Sequence, residues 1–343
     1  MNVPQSMKPS LILLLLLTSL PCLAAADPVA DAKAAWKARD YAKAAELITG
    51  PAAAGNAAAL YLKGLMTETG RGAARSPVDA AKLYKQAMDK GNADATGAYG
   101  RLLINGAGGV EKDAAQGLFL IRKAAEAGSA TAMTLMGDFA GQGIGQEPEA
   151  RTAAFWYGRA SAEKEPLGYL GMAQIYDRGA AGVVKDESRA TLLVLEAAKL
   201  GEPLAMNEMG VRYQTGRGVA RDNVAAVGWF SMAAQHDLAA AMVNLGNCYE
   251  TGNGCLKDFE RAGNNYAAAA KQGHPVAQFM IASMFERGLG TKANPVFAFV
   301  NYARSAAGGY KEAEAKRDAL KATLTAEQLA EATEVMKAPP SEK

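Results

Sequence analysis

Seven glycines constrain this chain more than any other feature. Gly70, Gly106, Gly143, Gly179, Gly216, Gly252 and Gly288 follow one another at intervals of 36, 37, 36, 37, 36 and 36 residues. Self-similarity at a period between about 20 and 50 residues marks stacked supersecondary units, each unable to bury its apolar face alone. Six residues before these glycines stand Gly64, Gly100, Gly137, Ala173, Gly210, Gly246 and Ala282, and five before those Ala59, Ala95, Ala132, Gly168, Ala205, Ala241 and Ala277. Three residues after the middle set come Thr67, Leu103, Ala140, Tyr176, Tyr213, Tyr249 and Phe285. Offsets of three and four place these positions on one stripe of a helix, here called helix A of each repeat.

A glycine closing helix A fits the left-handed conformation that commonly ends helices, where a Cβ is penalised. Helix B opens about six residues later at Ser76, Asp113, Glu149, Asp186, Asp222, Asp258 or Asn294, six of which are good acceptors for the unpaired amides of a first turn. Pro77 and Pro295 occupy first helical positions, where the missing N–H costs nothing. Helix B carries Ala80, Gly117, Ala153, Ala190, Ala226, Ala262 and Ala298, each followed four residues on by Tyr84, Ile121, Tyr157, Val194, Phe230, Tyr266 or Tyr302. Small against bulky is the pattern of two helices packed closely. The extra residues of the two 37-residue intervals fall in the loops GAGGVEKD and GAAGVVKD, where a packed array tolerates them.

The unit A-x4-G-x2-Y-x2-G-x-G-V-x2-D-x3-A-x3-Y/F-x2-A-A-x2-G resembles the Sel1-like repeat, a relative of the tetratricopeptide repeat. Gly210, Tyr213, Gly216, Gly218, Val219, Asp222, Ala226, Phe230, Ala233 and Ala234 carry it most fully. The added residues of the inter-helix loop distinguish it from the strict 34-residue tetratricopeptide unit. The resemblance implies an all-α fold, a right-handed α-solenoid of stacked antiparallel helix pairs, and the role of a binding scaffold, here of a secreted bacterial type. The third repeat departs from the pattern, with QEPE in its loop, and Thr67 and Ala140 stand where the first and third repeats should carry an aromatic, so those helices are expected to pack less well.

In chain order, residues 1–26 combine Lys8, the apolar run Leu11 to Leu20 and Ala24-Ala25-Ala26, the layout of a cleavable signal peptide cut after Ala26. About 20 apolar residues are needed to span a bilayer, so no membrane anchor is expected after cleavage. Cys22 lacks a lipobox before it. Residues 27–55 read as a degenerate capping hairpin, 56–309 as seven repeats, 310–338 as capping helices, with Thr325 and Gln328 opening the last one, and 339–343 as a disordered tail. The expected location is periplasmic or extracellular.

Without Lys8 the chain has 36 basic and 35 acidic side chains and no Lys/Arg run, which argues against nucleic acid. Cys248 and Cys255 are a disulfide candidate, since export reaches an oxidising compartment; the resemblance itself implies no such bond, because the cysteine-rich relatives place their pairs elsewhere. Two cysteines without matching ligands make no metal site, and no cofactor or small-molecule ligand is expected. His236 and His274 lie in inter-repeat turns and read as solvated. With no nucleophile or P-loop motif, an enzyme is not expected. Related arrays line their inner groove with the helix A face at offsets −3, +1 and +4 from the mid-helix Gly/Ala. Here that face reads Arg101, Asp138, Gln174, Asp177, Asn207, Gln214, Asn247 and Glu250, with Tyr61 and Phe279 as its aromatics at −3. An amide-rich surface of this kind suits a protein or peptide partner. The alternative is a cell-wall binder or hydrolase acting on peptidoglycan, β-lactam or exopolysaccharide.

Overall fold

The computed structural model describes residues 27–144, 147–180 and 182–337. The signal segment with its Ala26 cleavage point, and the tail 339–343, lie outside them. The described residues form eighteen α-helices and no strand. The described residues divide between Lys90 and Gly91 into two compact units, each built of stacked helix pairs.

The first unit holds α1 (Pro28–Lys37), α2 (Tyr41–Ala53), α3 (Ala57–Thr69) and α4 (Pro77–Asp89). The second runs through α5 (Ala93–Asn105), α6 (Ala114–Glu126), α7 (Ala130–Gln142), α8 (Ala150–Ala162), α9 (Pro166–Arg178), α10 (Glu187–Lys199), α11 (Pro203–Thr215) and α12 (Asn223–Gln235). It continues with α13 (Ala239–Thr251), α14 (Phe259–Lys271), α15 (Pro275–Arg287), α16 (Pro295–Ala307), α17 (Glu312–Lys321) and α18 (Ala326–Lys337). Within each unit a helix packs on its pair mate and on the first helix of the next pair. Helices α5 to α16 all have 13 residues, about 20 Å, so equivalent positions recur at the same height in successive pairs.

The helix ends explain this regularity. All seven repeat glycines close helix A in the left-handed region, with φ between 63° and 79°, and each donates its N–H to the carbonyl four residues back. Ser76, Asp113, Asp186, Asp222, Asp258 and Asn294 accept a backbone N–H at the start of helix B, whereas Glu149 makes no such bond. Asn56, Asn92, Ser129, Glu202 and His274 cap helix A in the same way. Each side-chain cap contributes about 1 kcal/mol.

Close approach then depends on small residues. Ala95, Ala132, Ala205, Ala241 and Ala277 on helix A, and Ala153, Ala190, Ala226, Ala262 and Ala298 on helix B, are at most 1% exposed. The rings of Tyr157, Phe230 and Tyr266 lie over Gly137, Gly210 and Gly246, where an added Cβ would stand 2.5–2.7 Å from ring carbons. The second loop glycine has a different task. Gly218, at φ 69°, presses on the Glu187 carbonyl in the first turn of α10, so it sets the spacing between repeats while Gly216 ends the helix.

The aromatic after mid-helix A reaches helix B of its own repeat: Arg189 lies 4.6 Å over Tyr176, Arg261 5.6 Å over Tyr249, and Phe297 is 5.6 Å from Phe285. Ala140 cannot reach, and beside it opens a cleft of about 250 Å³ lined by Leu118, Phe119, Arg122, Met136, Phe139 and Ile144. At the far end α18 starts with a reciprocal capping box, Thr325 N–H to Gln328 Oε1 at 3.0 Å and Gln328 N–H to Thr325 Oγ1 at 3.2 Å. It lays Leu329, Ala332 and Val335 over Val296, Phe299 and Val300 of α16.

Candidate partner-binding surface

The polar helix A face follows a rule that the sequence pattern does not display. Where helix B supplies a tyrosine, its hydroxyl crosses to a carboxylate on helix A. Tyr266 donates to Glu250 at 3.0 Å, Tyr302 to Glu286 at 2.7 Å and, in the first compact unit, Tyr84 to Glu68 at 2.7 Å. In the third repeat Gly141 occupies the acidic position and Tyr157 reaches Asp138, one turn earlier, at 2.7 Å. Where helix B carries Ile121 or Phe230, the facing residues are Ile104 and Gln214, which need no hydroxyl. Burial raises the pKa of Asp138 against the smaller opposing effect of its tyrosine bond. It also raises the hydroxyls of Tyr157, Tyr266 and Tyr302, and their carboxylate partners push them further. These phenols stay protonated donors across the physiological range.

The fourth repeat has the acid, Asp177, opposite Val194, and takes its partner from the next repeat. Arg212 is 1% exposed and forks onto Asp177, with Nη1 to Oδ1 at 3.3 Å and Nη2 on Oδ2. Its Nη1 also donates to Thr191 Oγ1 at 3.0 Å, and its Nε lies 3.1 Å from Glu208, which Arg217 contacts as well. Sequence reasoning missed Arg212. The available signal was its register: the other repeats have Met66, Leu102, Phe139, Ile175, Cys248 and Met284 there.

Several expected binding residues are therefore committed inside the stack. Asp138, Asp177 and Glu250 hold helix pairs together, Asn247 bonds the Tyr266 hydroxyl, and Asn207 accepts from Asn244 of the next helix A at 2.9 Å. Gln174 is exposed, and Gln214 and Arg101 are half-buried. Tyr61 packs 6.0 Å from Tyr84, and Phe279 lies 5.3 Å from Tyr302 and 5.1 Å from Tyr310, so neither stands open as a sugar-stacking platform.

Cys248 and Cys255 are free thiols packed in one apolar cluster with Phe230 and Leu245. Burial, then the neighbouring Cys255, pushes the Cys248 thiol up to about 11, and burial raises Cys255, so neither is a ready nucleophile. His274 is not simply solvated. It caps α15, its Nδ1 accepting the Ala277 N–H at 3.4 Å, and burial lowers its pKa. His236 ends α12, its N–H bonded to the Ala233 carbonyl. No described helix is long and apolar enough to cross a membrane.

Glycine-capped helix pairs at this period, with small residues at every crossing, define a helical-repeat scaffold, and the family model described as "Sel1 repeat" matches seven times, at residues 57–92, 93–129, 130–164, 166–202, 203–238, 239–274 and 275–310. The chain belongs to the Sel1 repeat family, an architecture consistent with protein–protein interaction. It is similar to the solved structure of c5321 from uropathogenic Escherichia coli, described as a protective antigen displaying an SLR fold, with 27% identity and a TM-score of 0.65 over 90% of this chain and 67% of that one. It is also similar to a Sel1 repeat protein from Oxalobacter formigenes, with 30% identity and a TM-score of 0.56 over 71% of this chain and 99% of that one. No curated protein matches.

Proposed function

We propose that the protein is an exported, non-enzymatic scaffold that docks a protein or an extended peptide on the polar helix A face of its second compact unit. The observation that carries this reading is the set of carboxylates fixed by tyrosine hydroxyls. Asp138, Glu250 and Glu286 each accept one phenolic O–H, and Glu250 and Glu286 each also meet one exposed cation, Arg287 and Lys316, at 3.4 Å. A carboxylate offers about four acceptor sites, so each remains an oriented acceptor with capacity to spare. Gln174 and Gln214 add amides that both donate and accept, at positions of the same face. Backbone N–H groups of an extended segment are suitable complements, and many weak contacts on a rigid surface supply affinity without a reaction centre. The export part rests on the signal-type residues 1–26.

A photo-crosslinking residue at Gln174, and separately at Gln214, tests the docking surface in periplasmic extract. The same partner segment captured from both positions is the expected result. Folded protein that captures nothing at either position would overturn it. For export, a reporter active only outside the cytoplasm is fused after Asp27. Activity with cleavage at Ala26 is expected, and retention of the uncut fusion inside the cell would refute this part.

A further inference from the structure

Two residues before the bulky position of helix B, the second compact unit carries Phe119, Phe155, Leu192, Gly228, Asn264 and Val300. One register has two fates. Val300 is 0% exposed because α18 lies on it, whereas Phe119, Phe155 and Leu192, in three consecutive repeats, are 59%, 58% and 63% exposed. Large apolar side chains left in water at one repeated position form a row when equal helices stack. Trp156, next to Phe155, packs with Ile121, Ala124 and Ala125 of α6, which ties α8 to the preceding repeat. Phe119 also forms one wall of the cleft that Ala140 leaves open.

The covered case shows what this register accepts. Helix α18 is amphipathic, with Leu329, Ala332 and Val335 inward and Glu327, Glu331 and Glu334 exposed. Arg304, four residues after Val300, donates to the Val335 carbonyl near the end of α18 at 3.3 Å. Lys123 and Arg159 stand four residues after Phe119 and Phe155. At the flanking positions three and four residues either side of the open row, the chain places Arg122, Lys123, Arg151, Arg159 and Arg189 against Glu196, which Lys199 already pairs at 2.7 Å. Arg159 rests over the rings of Phe155 and Trp156, at 5.9 and 5.3 Å.

We propose that the outer helix face of the second to fourth repeats binds an acidic amphipathic α-helix of another protein. Its apolar edge lies on Phe119, Phe155 and Leu192, one anchoring side chain enters the cleft beside Ala140, and its carboxylates meet the five cations. This face is separate from the helix A surface, so either can fail alone. A helix is favoured over an anionic lipid surface because the same register already holds one on α16, and because the cleft accepts a single side chain rather than a flat layer.

The test uses a fluorescein-labelled peptide of residues 325–337 as the probe, titrated into the purified protein and read by anisotropy. Saturable binding is expected, weakened at least about tenfold in the Phe119→Ser/Phe155→Ser double variant and reduced by added salt. Both positions are exposed, so the variant should keep the parent's circular dichroism and melting curve. Unchanged binding to that variant would mean that the peptide merely exchanges for α18 on α16, and would overturn the proposal. Equal binding of a peptide with its three glutamates changed to lysine would also overturn it. So would a parental dimer that the double variant abolishes, or phosphatidylglycerol vesicles that bind the parent and not the variant, since a second copy or a membrane would then be the occupant.

Discussion

The sixth and seventh repeats fix their helix A carboxylates across one helix pair, Glu250 with Tyr266 and Glu286 with Tyr302, and the cations that reach them from the following pair, Arg287 and Lys316 at 3.4 Å, are exposed. The fourth repeat carries Asp177 at the same register, faces it with Val194, and takes its bond from Arg212 of the fifth. The first solution mainly stiffens a pair, its exposed ion pairs to the following pair adding little, while the second couples one pair to its neighbour through a charge that water hardly reaches. In an array whose stability is a sum of pair and nearest-neighbour contributions, those two placements act on different quantities.

The sharpest way to break the comparison is Arg212→Met, which installs the residue that the first and seventh repeats carry at this register. It strands Asp177, and loss of one member of a buried pair costs about 3–5 kcal/mol. Urea denaturation should show that loss, and adding Asp177→Asn should recover part of it. A cost under about 1 kcal/mol would show that the coupling is weak. Next in size is Gly210→Ala, whose Cβ would meet the Phe230 ring. Overpacking of this kind costs about 1–3 kcal/mol. The seventh repeat has Ala282 in this place under Tyr302, so unchanged melting would mean that the two repeats are equally relaxed.

Tyr266→Phe should cost about 1–2 kcal/mol by removing a hydrogen bond to a charged group. Adding Glu250→Gln reproduces the Phe230 and Gln214 combination of the fifth repeat and should restore most of the loss, measured as a double-mutant cycle. Additive losses would mean that the two repeats are not interchangeable. The smallest effect is a pH dependence at His274. Its folded pKa lies below the ordinary 6.5, so its contribution is complete above 6.5 and falls as pH drops through the folded pKa. Melting between pH 7.5 and 5 should show a slope of this sign that His274→Asn, which keeps a capping acceptor, removes.

The repeat boundaries were legible because their causes are local. A left-handed closing residue selects glycine at Gly216, and an open first turn selects Asp222, whatever lies elsewhere in the chain. The offset count that picked out the helix A face treated Gln174 and Glu250 alike. Only the fold separates them, since Glu250 is held by a hydroxyl 16 residues away in sequence and Gln174 projects into solvent.

The sequence by itself determined the period, the helix ends and the small residues at the crossings, because each follows from backbone conformation or from contacts within about one turn. The tertiary structure alone decided that Arg212 is buried against Asp177, that Ala140 leaves a cleft, and that Val300 is covered while Phe155 is not. Each of those depends on which distant side chain, or none, fills the adjoining space, and a one-dimensional period holds no record of that.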